Sequence, residues 1–429
     1  MDKIRIKGGK PLSGKIVIGG AKNSALPLMA ASLLSDDALV LSNVPYLADI
    51  TTMANLLVSF GTSLTVNTTN ADSLFHGREI VLKAKNIKET TAPYDIVRKM
   101  RASVIVLGPL LARFGHAKVS LPGGCAIGSR PIDLHLSALE KMGAKITLSE
   151  GYIEAEAKGG LKGAEIKFSK VSVGATENIL MAAALAEGVT IIKNAAKEPE
   201  IEDLANCLNQ MGAKISGIGS STLKIEGVEK LNGTSYRVME DRIEAGTYAI
   251  AAAITKGNLE LIGAKKEHMA ATIKVLKKIG VKIEETSRGV KVSGKGKFKP
   301  VNISTAPYPD FATDMQAQIT ALLCLIEGKS KVAENIFENR FMHIPELVRM
   351  GANIKIDGHT AIINGIKKFN GAEVMATDLR ASVCLVLAAL ACREETFINR
   401  VYHIDRGYER IEEKLSLCGA EIERIKDTI

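Results

Sequence analysis

Tryptophan is absent from this chain of 429 residues, and aromatic side chains make up only 4% of it. The core must therefore be built from Ala, Val, Ile, Leu and Met. Bases have little to stack on, which weighs against a nucleic-acid binder in spite of a formal net charge of +9. Long apolar runs are missing as well. The longest, residues 383–392, is far short of the ~20 residues a membrane helix needs, and the first ten residues alternate charge and apolar character instead of building a secretory h-region. The six cysteines form no CxxC pair and have no histidine at zinc spacing. Neither a disulfide scaffold nor a metal site is expected, and the setting is a reducing cytoplasm. Walker, dinucleotide-binding and HExxH signatures are all lacking.

What is present is a globular composition, 46% hydrophobic and 24% charged, in a chain long enough for two or three domains. Lys and Glu alternate along most of it, so the excess positive charge reads either as solvated surface or as a cleft for anionic small molecules. A short signature recurs six times: an apolar residue, a glycine and a small residue, at Gly61, Gly143, Gly212, Gly280, Gly351 and Gly419. The interval is roughly seventy to eighty residues. Each glycine marks a helix end that needs a left-handed residue, and an alternating run follows, as at 145–148 and 353–356, which predicts a half-buried strand. A second helix type, Ala-rich and without a polar face, is predicted at 24–32, 101–112, 176–186, 244–254, 314–326 and 381–391. Helices apolar all round are buried. Each repeat thus has one buried helix, one amphipathic helix and several strands, and six repeats divide into two halves of three near residues 237–241. The N-terminal strand is assigned to the second half.

Polar residues gather where the buried helices begin: Lys22 and Asn23, Arg101, Thr176 and Glu177, Asp241 and Glu244, Thr313 and Asp314, Asp378 and Arg380. Helix N-termini attract anions, so six of them facing one cleft would hold phosphates and carboxylates. Each is equally plain helix-start chemistry, Thr313 with Gln316 being an ordinary capping box. The most specific segment is a glycine-rich loop with Gly123, Gly124, Cys125, Gly128 and Arg130, leading into a helix near His135. It is a candidate lid, and Cys125 reads as a reactive residue or as a spare thiol. Cys207, Cys324, Cys384, Cys392 and Cys418 read as core residues in helical segments. His135 and His403 read as hydrogen-bonded structural residues sooner than ligands.

The loop PGGCAIGSRP at 122–131 resembles that of the UDP-N-acetylglucosamine branch of the enolpyruvyl transferase family. So do GAKN at 20–23, MRAS at 100–103, TDMQAQ at 313–318, FENRFMH at 337–343, DLRAS at 378–382 and YHIDRGYER at 402–410. The resemblance spans the chain. It implies an α/β fold of two inside-out barrel domains made of six βαβαββ repeats: 22–239 with the Cys125 loop, and 1–21 with 240–429. The active site is expected in the inter-domain cleft. The implied reaction passes the enolpyruvyl group of phosphoenolpyruvate to the sugar 3-hydroxyl of UDP-N-acetylglucosamine, by addition and elimination through a tetrahedral phosphoketal. It is the first committed step of peptidoglycan synthesis, and it implies no cofactor, no metal, no nucleic acid and no membrane.

The resemblance also implies roles. Lys22 and Asn23 would hold phosphoenolpyruvate, with Arg130 and Arg406 on its phosphate, Arg380 near its carboxylate and Arg101 close by. Asp314 would take the hydroxyl proton, and Cys125 would be the lid thiol, a proton donor and the target of the epoxide fosfomycin. Arg130, Pro131, Ile132, Asp133 and Leu134, then Lys170, Val171, Ser172, Val173 and Gly174, then Asp314, Ile336 and Arg340, would contact substrate. Two departures are mild: Ala312 stands where proline is common, and Ile336 where valine is usual. The rival readings are a 3-phosphoshikimate enolpyruvyl transferase, a non-catalytic UDP-sugar-binding paralogue and a nucleic-acid-binding protein.

Overall fold

The computed structural model describes residues 2–67, 77–121 and 132–426. The described residues form six four-stranded sheets, each with one parallel pair at an edge and the other neighbours antiparallel. Contacts divide the chain into two units, one from Gly19 to Met239, the other from residues up to Ile18 and from Glu240 onward. Each unit holds three of the sheets and a separate apolar core.

Within a unit the sheets lie outside and the helices inside. In the unit that begins at Glu240, helices Arg242–Ile254, Gln316–Cys324 and Val383–Leu390 pack on one another, and every residue but Arg242 is buried. Their composition explains it: Ala and Leu on every side leave no face for water. The other unit buries Lys22–Ala31, Leu107–Phe114 and Val173–Ala183 in the same way. The strands alternate, one residue inward and one outward, as in Thr360–Asn364.

Strands from distant parts of the chain complete three of the sheets. Lys3–Lys7 lies between Glu395–Asn399 and Glu421–Ile425, Ser13–Val17 pairs in parallel with Asn258–Ile262, and Thr234–Arg237 with Leu39–Val44.

All six recurring glycines have positive φ, between 92° and 114°. At each, the amide of the following residue reaches back to a leucine carbonyl five residues earlier: Leu57, Leu139, Leu208, Leu276, Leu347 and Leu415. The same helix-ending motif is therefore used six times. The predicted strands follow as Lys145–Ser149 and Asn353–Asp357.

Three buried helices open differently from the pattern. Arg101–Val106 and Thr313–Met315 wind as 3-10 turns before the α-helix starts. The side chain of Gln318 takes the Asp314 carbonyl at 2.7 Å, competing for the acceptor of a regular first turn. The sixth helix begins at Val383, because Asp378 Oδ1 accepts from the amides of Arg380 and Ala381 at 2.7 and 2.6 Å while Ser382 Oγ accepts from those of Thr377 and Asp378. Cys392 and Cys418 lie just past helix ends and, with Cys207, Cys324 and Cys384, are buried.

Two glycine substitutions should separate two kinds of cost. A Cβ at Gly143 would meet nothing within 4 Å, whereas one at Gly365 would lie 2.0 Å from the Ile326 carbonyl oxygen. Gly143→Ala should cost about 1 kcal/mol, for left-handed backbone alone, and Gly365→Ala roughly 3 kcal/mol, for forced separation of helix and strand. Urea denaturation of the two variants checks the order.

Candidate active site

Lys22 is the first residue of its helix, and its Nζ lies 3.1 Å from Asp49 Oδ2, both side chains being 6% exposed. A buried ammonium needs such a counter-charge. Gly20, two residues earlier, lies so close to the Asn43 carbonyl that a Cβ would stand 1.8 Å from its oxygen, which is why a glycine begins this motif. Asn23 is half-buried. Two residues after Lys22, Ser24 donates to Asp203, which also accepts from Tyr236 at 2.8 Å. Burial nevertheless raises the Asp203 carboxyl above its ordinary value.

A second cluster in this unit gathers around His135. Nδ1 of His135 lies 3.0 Å from the amide nitrogen of Asn178, whose oxygen accepts from Gly108 N at 2.6 Å. With that oxygen occupied, Asn178 donates to the ring and the proton is assigned to Nε2. Burial first, then the charge of Arg101, lowers the His135 pKa to about 4, against the pull of Asp133. A Cβ on Gly174 would lie 3.5 Å from Nε2. Arg101, Asp133 and Gly174 are thus brought to one place. Ser172 caps the helix there, its Oγ accepting from Ala175 N at 3.3 Å, and Val171 and Val173 are half-buried beside it. Leu134 belongs to the core, Ile132 is half-buried, and Asp133 and Lys170 are exposed. Cys125, Arg130 and Pro131 lie outside the described residues.

In the other unit Asp314, 25% exposed, accepts at Oδ1 from Arg340 at 2.5 Å. The second terminal nitrogen of Arg340 donates to Thr313 Oγ1 at 2.9 Å, and Thr313 donates to Glu334 at 2.8 Å. The other Glu334 oxygen accepts from the amides of Ile336 and Phe337 and from Thr305. Asp314, Ile336 and Arg340 therefore hang on one network, which fixes the carboxylate by a charge-assisted bond.

Arg380 is 2% exposed. Its terminal nitrogens donate to the Gly407 carbonyl at 2.9 Å and to Asp241 at 3.0 Å, and it stands over the Tyr408 ring. Its Nε has no hydrogen-bond partner among the described residues, an orphan buried donor that an anion would satisfy. Burial would raise the Asp241 carboxyl, but Arg380 and the amides of Glu244 and Ile243 hold it below its ordinary value. Tyr408 joins the two groups, because Gln318 donates to its hydroxyl at 3.1 Å and to the Asp314 carbonyl. Arg406 ends the Val401–Arg406 turn, half-buried, and its charge adds to burial in lowering the pKa of His403.

Sequence reasoning did not single out Asp49, Asn178, Gln318, Glu334 or Tyr408 as supports. A signal existed for Asn178 and Gln318: each is an amide side chain in a buried, Ala-rich helix.

A family model described as EPSP synthase (3-phosphoshikimate 1-carboxyvinyltransferase) matches residues 6–415, and the chain belongs to this family of enolpyruvyl transferases. A Paramagnetospirillum magneticum protein named UDP-N-acetylglucosamine 1-carboxyvinyltransferase is 62% identical over 430 residues, all of both chains. One of the same name from Granulibacter bethesdensis is 59% identical over 99% of this chain and 100% of its own. The crystal structure of the enolpyruvyl transferase NikO from Streptomyces tendae superposes with a TM-score of 0.87 at 23% identity, covering 99% of this chain and 98% of that one. The fold is the two-domain inside-out α/β fold.

The His135 site predicts a pH dependence. Folded, the ring stays neutral to about pH 4, while unfolded it takes a proton near 6.5. Its contribution is present in full above pH 6.5 and is lost as pH falls toward 4, by about 1.4 kcal/mol per pH unit. His135→Asn, whose oxygen can still accept from Asn178, should flatten the fall of stability in that window. Urea denaturation at several pH values measures it.

Proposed function

We propose that this protein transfers the enolpyruvyl group of phosphoenolpyruvate to the 3-hydroxyl of UDP-N-acetylglucosamine, releasing phosphate. The observation that carries the reading is the 62% identity, over the whole of both chains, to a protein bearing that activity's name. The two units act as the two barrel domains, 22–239 and 1–21 with 240–429.

In this reading the 3-hydroxyl oxygen adds to C2 of phosphoenolpyruvate and gives its proton to Asp314, while the Cys125 thiol protonates C3. The phosphoketal then loses a C3 proton and phosphate, restoring the double bond. Asp314 is suited to its part, being partly exposed and held at one oxygen by Arg340. Lys22 and Asn23 hold phosphoenolpyruvate, Arg130 and Arg406 take its phosphate, and Arg380 offers its Nε toward the carboxylate. Arg101 lies near phosphoenolpyruvate as well, while Arg130, Pro131, Ile132, Asp133 and Leu134, Lys170 and the residues through Gly174, Asp314 and Ile336 serve the nucleotide sugar. So written, the chemistry needs no metal. No described helix is long and apolar enough to cross a membrane, and the charged substrates fit a cytoplasmic enzyme at the entry to peptidoglycan synthesis.

The test is phosphate release from phosphoenolpyruvate with each acceptor in turn. Release that requires UDP-N-acetylglucosamine is expected, and release with 3-phosphoshikimate would instead favour the activity named in the family description. Asp314→Asn should lower kcat by about 10²–10⁴-fold, and a variant with unchanged kcat would remove Asp314 from its role. Fosfomycin should abolish activity and add its mass at Cys125.

A further inference from the structure

The net charge of the protein is unevenly placed. Residues 265–299 carry eleven Lys and Arg against three Glu, a net of +8, while the whole chain has +9. All eleven cations are exposed. They surround the helix Ala270–Ile279 and the strands Lys282–Thr286 and Gly289–Ser293, elements that carry none of the residues assigned to the chemistry.

Some of these charges have ordinary duties. Lys277 and Lys278 sit in the last helical turn, where they complement the dipole. Lys282 lies on the terminal strand of its sheet, where lysine discourages pairing with other chains. Lys266 and Arg288 pair with Glu285 and Glu260. Lys274, Lys295, Lys297 and Lys299 have no such duty and no ion pair among the described residues. Lys274, Lys277 and Lys278 stand three and four residues apart on one helix face, an arrangement that repels.

The charges frame a groove of about 760 Å³. Four lysines, Lys266, Lys274, Lys277 and Lys278, outnumber two carboxylates, Glu267 and Glu285, along its sides, Lys266 being paired with Glu285, and Ala270 and Ile273 supply its apolar part. The chemistry narrows the occupant. A bilayer is flat and calls for an apolar wedge, but here Leu276 and Ile279 turn into the core, Ile273 reaches the groove with little of its surface, and no large apolar side chain in 265–299 is exposed. Nucleic acid calls for stacking, but the one Phe of the segment, Phe298, is half-buried with Lys256 Nζ 3.2 Å from its ring centre. A small anion calls for enclosed donors, and every cation here is in solvent. An extended acidic peptide fits: carboxylates along the lysines, an apolar side chain against Ala270 and Ile273.

We propose that this groove docks an acidic segment of a partner protein, one that carries at least one large apolar residue among its carboxylates. The inference is independent of the reaction the enzyme performs.

Fluorescence anisotropy with a labelled peptide of Glu, interrupted by two Leu one helical turn apart, tests it on the intact protein. Binding should be salt-sensitive, tighter than that of an all-Glu peptide, and weakened at least about tenfold by K274E/K277E/K278E. The thermal midpoint of that variant should fall by only a few degrees, since all three side chains are in water and only the dipole interactions of Lys277 and Lys278 are reversed. Equal affinity for the all-Glu peptide would overturn the proposal, as would equal binding by the charge-reversed protein. Cosedimentation with phosphatidylglycerol vesicles at physiological salt, abolished by the same three changes, would overturn it in favour of a lipid surface.

Discussion

A helix buried on every side can offer polar groups only at its ends. That constraint governs this molecule. The Arg242–Ile254, Gln316–Cys324 and Val383–Leu390 helices bury almost every side chain, so the charged side chains associated with them have to sit where a helix starts. Lys22, Arg101, Ser172, Asp241, Asp314 and Arg380 all do. The same constraint puts the sheets and the amphipathic helices outside, because they have one face free for water.

Placing charges at buried ends carries a solvation cost, and the structure offsets it by pairing. Lys22 has Asp49, Arg380 has Asp241 and Arg340 has Asp314, and Lys414 lies 2.6 Å from Glu244 with both nearly excluded from solvent. Removing one member of such a pair leaves the other uncompensated. Neutral donors complete the arrangement: Thr313 passes the Arg340 interaction on to Glu334, and Gln318 ties the start of one helix to Tyr408.

What was legible in the sequence follows the same physics. A left-handed residue at a helix end has one inexpensive identity, so six glycines announced six repeats. Ala-rich helices without a polar face announced their burial, and the residue types at their starts announced an affinity for anions. The partners were not legible, because they come from far along the chain. Asp49 is 27 residues from Lys22, Tyr408 is 90 from Gln318, and Asp241 is 139 from Arg380. Local pattern also placed the openings at Arg101, Asp314 and Ala381 too simply, since competition from Gln318, Asp378 and Ser382 for backbone groups depends on side-chain direction.

The completion of sheets by distant strands has a consequence for how the chain is made. Lys3–Lys7 leaves the ribosome well ahead of both of its neighbours, which lie beyond residue 394. Ser13–Val17 likewise waits for Asn258–Ile262. The unit from Gly19 to Met239 draws its closing strand, Thr234–Arg237, from its own end, so it can finish while the other is still being synthesised. Throughout that interval the two N-terminal strands have no partners. The alternation of Lys and Arg with Ile in Lys3–Lys7 keeps that waiting strand soluble, and a nascent chain stalled before residue 395 would hold one completed unit and a tethered, unpaired beginning of the next.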